Sequence, residues 1–275
     1  MKKNTATVSG DDVLVRQARR AMWTAYRARL GLVDPLLPDF GVEGGIAGLE
    51  PNPVLRLLIL PHDPEVDVAD FNSEFWRWWT LEYLDPATGS ETRWGAMQQP
   101  GSRMALRGTN AGDDGLFRYV ALHRCLGVEM GLVKDATYFI PNLKAHVLRL
   151  APAVARIWSA LELQTRVIER FEIPEAAAPW EITVAFTKAR GALIGHFAKG
   201  WAEPGEGFMP RPCTENALLF RQEINTPWPN PEGRRELAFQ VGAWLEDSFG
   251  STRRRWIRHP APEPVILDSD AARWT

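Results

Sequence analysis

The chain has little cysteine, little lysine and no long apolar run. Its 275 residues include only Cys125 and Cys213, which supports neither a disulfide scaffold nor a zinc site. No stretch approaches the roughly 18 apolar residues of a membrane helix. The basic start, Met1–Lys3, is followed by polar residues rather than by the apolar core of a signal peptide. We therefore expect a cytoplasmic protein without a membrane segment.

The chain also lacks an excess of either positive or negative charge. The formal net charge is −2 with 24% charged residues, which excludes a disordered acidic chain and a uniformly basic nucleic-acid coat. Hydrophobic residues make up 45% of the chain, and 12 residues are tryptophan. That much apolar material predicts one or two well-packed globular domains.

Familiar catalytic and nucleotide-binding motifs are missing from the sequence. There is no P-loop, nucleophile elbow, paired-His metalloprotease motif or Cys-pair metal site. Gly41, Gly44, Gly45 and Gly48 precede a predicted strand, whereas a dinucleotide fingerprint lies between a strand and a helix. We expect no cofactor.

The densest group of potential metal ligands lies between His62 and Asp70, where four acidic residues follow a histidine. Carboxylates at this spacing are able to bind a hard cation. However, the segment has no turn-forming glycine, and no second ligand group stands out elsewhere. A solvated loop is the favoured interpretation, and no metal site is predicted.

Five segments are predicted along the chain. They are a tail over 1–10, a helix over 11–31, a Gly/Pro-rich linker over 32–53, a main domain over 54–258 and a C-terminal tail over 259–275. The apolar stripe of the first helix and the linker behind it make this helix a detachable arm.

The main domain is predicted to be α+β, with a mixed, mainly antiparallel sheet and two or three helices packed on it. Apolar periodicity predicts strands over 54–60, 181–187, 192–198 and 217–224, a hairpin over 116–133, a helical region over 141–172 and a helix over 235–249. We expect 192–198 to pair with 181–187.

Three shorter segments of the main domain have less clear patterns. Residues 71–84 fit a helix or a strand. Pro152 either begins a second helix or kinks a continuous one, and the unbroken apolar phase favours near-collinear helices. Arg221 and Glu223 share one face of a strand and are expected to form an exposed ion pair.

Two basic segments are candidate binding sites. The N-terminal helix carries arginines and one tryptophan that suit a partner protein, namely Arg16, Arg19, Arg20, Trp23 and Arg27. Near the C-terminus, a second run offers phosphate contacts and one stacking ring for nucleic acid through Arg253, Arg254, Arg255, Trp256 and Arg258. A solvated basic surface explains either run equally simply.

The predicted hairpin suggests an alternative, enzymatic interpretation. It brings His123, Cys125 and Glu129 near one turn, and a thiol nucleophile needs a base within hydrogen-bond reach. Because free cysteines are more often buried core residues, we assign no catalytic residue.

The order of several segments resembles one known family. Leu57–Pro61, the hairpin from Phe117 to Glu129, the long helix and Trp180–Phe186 look like the C-terminal region of bacterial ATP-binding proteins that carry a Schlafen-type AlbA domain. The AlbA domain itself has no counterpart here, so no nuclease or nucleotide-binding residue is carried over. The resemblance implies an accessory or sensing module in a bacterial regulatory or antiphage defence operon.

Together these observations predict a non-enzymatic accessory protein. It would bind a partner protein encoded nearby or nucleic acid, with no membrane partner, and a homo-oligomer is compatible with the sequence. The alternative is an enzyme of unfamiliar type with a site near residues 123–129.

Overall fold

The structure is a computed structural model, and the parts of the chain that it describes lie mostly between residues 53 and 250. They are residues 53–61, 70, 72–81, 97–100, 104–110, 116–132, 136–173, 179–195, 211–224, 227–250, 257–258 and 266–267. The predicted tail and N-terminal helix, and all of the linker except Pro53, lie outside these residues.

Three helices and twelve strands occur in this part of the chain. In chain order, they are β1 (Val54–Pro61), α1 (Ser73–Leu81), β2 (Met97–Pro100), β3 (Met104–Asn110), β4 (Leu116–His123), β5 (Val128–Leu132), β6 (Thr137–Ile140), β7 (Ala145–Arg149), α2 (Leu150–Arg170), β8 (Trp180–Thr187), β9 (Leu193–Gly195), β10 (Ala217–Ile224), α3 (Pro231–Ser248), β11 (Ile257–Arg258) and β12 (Ile266–Leu267). The predicted α+β class is confirmed.

Seven strands form one antiparallel sheet in the order β10–β8–β1–β5–β4–β3–β2. The predicted strand over 54–60 becomes β1, which lies inside the sheet between β5 and β8. The predicted hairpin becomes β4 and β5, and the predicted strand over 217–224 is β10. Short apolar runs bounded by turn residues therefore located these strands correctly.

A smaller sheet contains β6, β7 and β9, in which β7 pairs antiparallel with β6 and parallel with β9. The prediction that residues 192–198 pair with 181–187 is wrong. Both sides of β8 are occupied, by β1 and by β10, so β9 pairs with β7 instead, with Val147 opposite Leu193. A short connection favours a hairpin only where the neighbouring position in the sheet is open.

The predicted helical region over 141–172 is wrong at its beginning. Residues 141–143 form a single 3-10 turn, 145–149 form β7, and the α-helix begins only at Leu150. Pro152 lies in the first turn of α2, where a missing backbone N–H removes no intrahelical hydrogen bond. The favoured interpretation of near-collinear helices across Pro152 is therefore also wrong, because the shared apolar phase was coincidental.

The ambiguous segment over 71–84 contains helix α1. The helix begins where the Asn72 side chain accepts a hydrogen bond from the Phe75 backbone N–H at 2.9 Å. One turn apart, Phe75 and Trp79 are buried and stack with ring centroids 5.9 Å apart. The Phe171 ring, just beyond the end of α2, lies 6.3 Å from the Phe75 ring. The segment is therefore helical because its aromatic side chains pack against each other and against Phe171, although its sequence shows no single apolar face.

Helices α2 and α3 pack against each other; α2 also packs on β1 and β5, and α3 on β10. The core between helices and sheet contains alternate residues of the central strands, such as Leu57, Met130 and Val184, together with Val154 and Leu161 of α2. Helix α3 begins at Pro231, four residues before the predicted start, because the Asn230 side chain accepts the Gly233 N–H at 2.8 Å and caps it.

Candidate functional site

A cluster of three polar side chains is buried within the large sheet. The Tyr119 hydroxyl donates to Glu129 Oε1 at 2.7 Å, and His123 Nε2 lies 2.9 Å from Glu129 Oε2. His123 and Glu129 are each 1% exposed, and Tyr119 is fully buried. A carboxylate that holds both a phenol and an imidazole is an arrangement found in acid–base sites, but also in structural networks.

Strand register brings these three residues together. Glu129 pairs with Ala121 across β4 and β5, and Tyr119 and His123 lie two residues to either side of Ala121 on the same face. Gly131 pairs with Tyr119, and a Cβ at Gly131 would overlap the Tyr119 ring. The absent side chain of Gly131 therefore leaves room for the phenol to reach Glu129.

Cys125 lies near the same turn as His123, as the sequence predicts, but it does not lie on a strand beside it. β4 ends at His123, and Cys125 lies in the following turn, where it is buried. The turn is closed by a hydrogen bond from Leu126 N–H to the His123 carbonyl at 2.8 Å. Gln164 of α2 donates to the Leu126 carbonyl at 3.1 Å, which ties this turn to the helix layer.

The burial of this cluster determines what it offers chemically. In this conformation neither His123 nor Glu129 presents surface to a substrate, and a reacting group must come within hydrogen-bond distance of a catalytic base. No group of three or more His, Cys, Asp or Glu residues suited to a metal ion occurs among the described residues. The cluster therefore has the features of an internal hydrogen-bond network.

The most exposed apolar side chains lie elsewhere. Among the described residues, the large hydrophobic side chains that are exposed are Phe139 (52%), Leu143 (49%) and Leu219 (46%). Phe139 lies on β6, an outer strand of the small sheet, and Leu143 lies in the 3-10 turn that follows it. Exposed Pro141 lies between these two residues in the chain, and we call this run of exposed apolar residues the apolar patch.

Polar side chains lie on both faces of the small sheet that carries Phe139. The His146 ring lies 5.2 Å from the Phe139 ring, and burial lowers the pKa of this histidine. On the opposite face of these strands, the Arg149 guanidinium lies 5.8 Å from the centroid of the Tyr138 ring. Burial raises the pKa of the Tyr138 phenol, and the charge of Arg149 counteracts part of that rise. Lys144 is exposed beside Leu143, so the patch combines apolar surface with positive charge.

Strand β10 presents a second exposed surface at the edge of the large sheet. The sequence predicts an Arg221–Glu223 ion pair there, and this prediction is wrong. Arg221 instead binds Glu181 of β8, with Nη2 2.6 Å from Oε2. Glu223 lies directly opposite Glu181 in the register. Cross-strand geometry therefore brings Arg221 to the carboxylate of the neighbouring strand.

Most of the predicted binding residues lie outside the described part of the chain. This holds for Arg16, Arg19, Arg20, Trp23 and Arg27, and also for Arg253, Arg254, Arg255 and Trp256. Arg258 lies in β11, where it pairs with Ile266 of β12.

No sequence pattern marks Tyr119, Phe139 or Leu143 as a site residue. Tyr119 was detectable, because it lies four residues from His123 on a predicted strand and therefore shares its face. Phe139 lay outside every predicted element, and Leu143 was placed inside an apolar helical stripe. Their exposure follows only from the small sheet.

No helix in the described ranges combines the length and apolar character needed to cross a bilayer. No protein-family model, curated protein or solved structure matches this chain.

Proposed function

We propose that this chain is a non-enzymatic accessory protein that binds a partner protein through the apolar patch. The observation that carries the proposal is the exposure of Phe139 and Leu143 within five residues of each other. Exposed apolar side chains that cluster on a soluble domain commonly mark interaction surfaces, and aromatic residues dominate binding energy there.

The surroundings of the patch suggest the chemistry of the partner. The patch lies next to the exposed cation Lys144. A complementary surface would offer an apolar pocket for Phe139 and Leu143 and carboxylates at its rim. The resemblance described above supports a bacterial regulatory or defence operon as the setting, and therefore a partner encoded nearby.

Two other sequence predictions bear on function. The N-terminal arginine-rich helix remains a second predicted docking element for the partner, and nucleic-acid binding by residues 253–258 remains a prediction. The enzymatic alternative near residues 123–129 is less well supported, because the polar cluster there is buried.

The test uses purified proteins encoded by the genes that flank the gene for this chain. Each is titrated into the full-length chain by isothermal titration calorimetry, and we expect one of them to bind. The double variant F139S/L143S should weaken that binding at least about tenfold, since hot-spot side chains contribute about 1–2 kcal/mol each. L219S is the matched control, because it removes a similarly exposed apolar side chain elsewhere.

Two results would overturn the proposal. One is that no flanking protein binds the wild-type chain. The other is that F139S/L143S binds as tightly as L219S while its circular dichroism spectrum remains that of the wild type.

A further inference from the structure

The two outer strands of the large sheet differ in how strongly they discourage a further strand from pairing with them. β2 is four residues long and ends at Pro100, and both features discourage a further strand. β10 has eight residues and contains no proline, glycine or lysine. Within the described residues, β8 is the single strand that pairs with β10. Among the described strands, β10 is therefore the edge better suited to pair with another strand.

The side chains of β10 alternate cleanly between two environments. Ala217, Leu219, Arg221 and Glu223 are exposed on one face, whereas Leu218 and Ile224 are buried on the helix side. On the exposed face, Arg221 is the cation that lies among the carboxylates of Glu181 and Glu223. Glu223 has no cation within 4 Å among the described residues. This edge therefore offers an unneutralised carboxylate next to an arginine.

A second copy of this chain supplies the complementary charges. When two identical strands pair antiparallel about an axis perpendicular to the sheet, residues equally distant from the axis face each other. An axis at Gln222 places Arg221 opposite Glu223 of the second copy, and this contact occurs twice. The same register places Phe220 opposite Ile224 on the helix side. An axis at Arg221 would instead place the two arginines against each other.

We propose that two copies of this chain associate through β10, antiparallel and with Gln222 at the two-fold axis, so that the two large sheets become continuous. Arg221 has five N–H donors and can bind Glu181 of its own chain and Glu223 of the second copy together. Opposite charges that face each other across two strands stabilise the pair, and like charges destabilise it. This inference is independent of the proposed function, because it concerns a different surface.

Charge reversal tests the register. R221E and E223R should each weaken the dimer at least about tenfold in sedimentation velocity, because each places like charges opposite each other. A mixture of the two variants should form a heterodimer, in which both cross-strand pairs again have opposite charges. A monomeric wild-type chain, or single variants that dimerise as well as the wild type, would overturn the proposal.

Cross-linking provides a second test that does not depend on the stability of R221E, which places a carboxylate beside Glu181. The Cα atoms of opposed residues lie about 4.5–5.5 Å apart, within the range that a disulfide spans. Q222C should therefore form a disulfide-linked dimer on mild oxidation with copper–phenanthroline. L219C is the matched control, since six residue steps, or about 20 Å, would separate its two thiols. Equal cross-linking of both variants, or none of Q222C, would refute the register.

Discussion

Arg234 of α3 donates two parallel hydrogen bonds to Glu162 of α2, from Nε to Oε1 and from Nη2 to Oε2, each 2.7 Å long. The guanidinium also donates to the Pro229 carbonyl at 2.7 Å, and Trp158 Nε1 donates to Glu162 Oε1 at 3.0 Å. Arg234 is buried and Glu162 is half-buried. This bidentate ion pair, which we call the Arg234–Glu162 fork, fixes the two helices relative to each other on the sheet.

Removing the carboxylate of this pair should destabilise the fold strongly. E162A leaves a buried guanidinium without its anion, and we expect a loss of about 3 kcal/mol in the free energy of unfolding. The matched control is E74A, which removes an exposed ion pair with Arg170 and should cost less than about 1 kcal/mol. Urea denaturation measures both values, and equal losses would contradict a special role for the fork.

Filling the space at Gly131 should disrupt the buried cluster. In G131A the new methyl group would overlap the Tyr119 ring, which is fully buried and is held by Glu129. We expect a loss of about 2 kcal/mol or more, as for other overpacked cores. G195A is the control, because its Cβ meets Val147 Cγ1 at 3.1 Å and requires only a small adjustment. If G131A unfolded at the same midpoint temperature as the wild type, the close approach of Gly131 to the Tyr119 ring would be contradicted.

His146 should make the stability of the protein depend on pH. Burial lowers the pKa of His146 in the folded state below 6.5, the ordinary value for a histidine side chain. Below about pH 6.5 the unfolded chain therefore binds more protons than the folded chain, so stability falls as the pH decreases. Urea midpoints at about pH 7.5 and about pH 5.5 should differ less in H146Q than in the wild type. A His146 pKa at or above 6.5 in an NMR titration would contradict this prediction.

His123 should be shielded from solvent reagents. It is 1% exposed and lies against Glu129, whereas His146 is only half-buried. Diethyl pyrocarbonate should therefore modify His146 well before His123, as peptide mass spectrometry would measure. If His123 reacted as fast as His146, the cluster would open to solvent, and the enzymatic alternative would gain support.

Several elements could be predicted because their signals are local. β1, β10 and the hairpin of β4 and β5 show apolar runs or alternation bounded by turn residues. The prediction that His123 and Glu129 lie near one turn needed only the hairpin, and the structure brings the two side chains into contact. In contrast, Leu143 and Val147 share a helical spacing with α2 by coincidence. The pairing of β7 with β6 and β9 overrides that spacing.

The sequence by itself determined the α+β class, the positions of the main strands and the polar residues of the hairpin, because the apolar periodicities of strands and helices act over a few residues. Only the tertiary structure decided the strand order, the burial of Tyr119, His123 and Glu129, and the exposure of Phe139 and Leu143. Those features depend on which distant segments pack against each face, and no local pattern encodes that choice. Arg221 shows the difference most clearly, since its partner is Glu181, 40 residues away, and not Glu223 on its own strand.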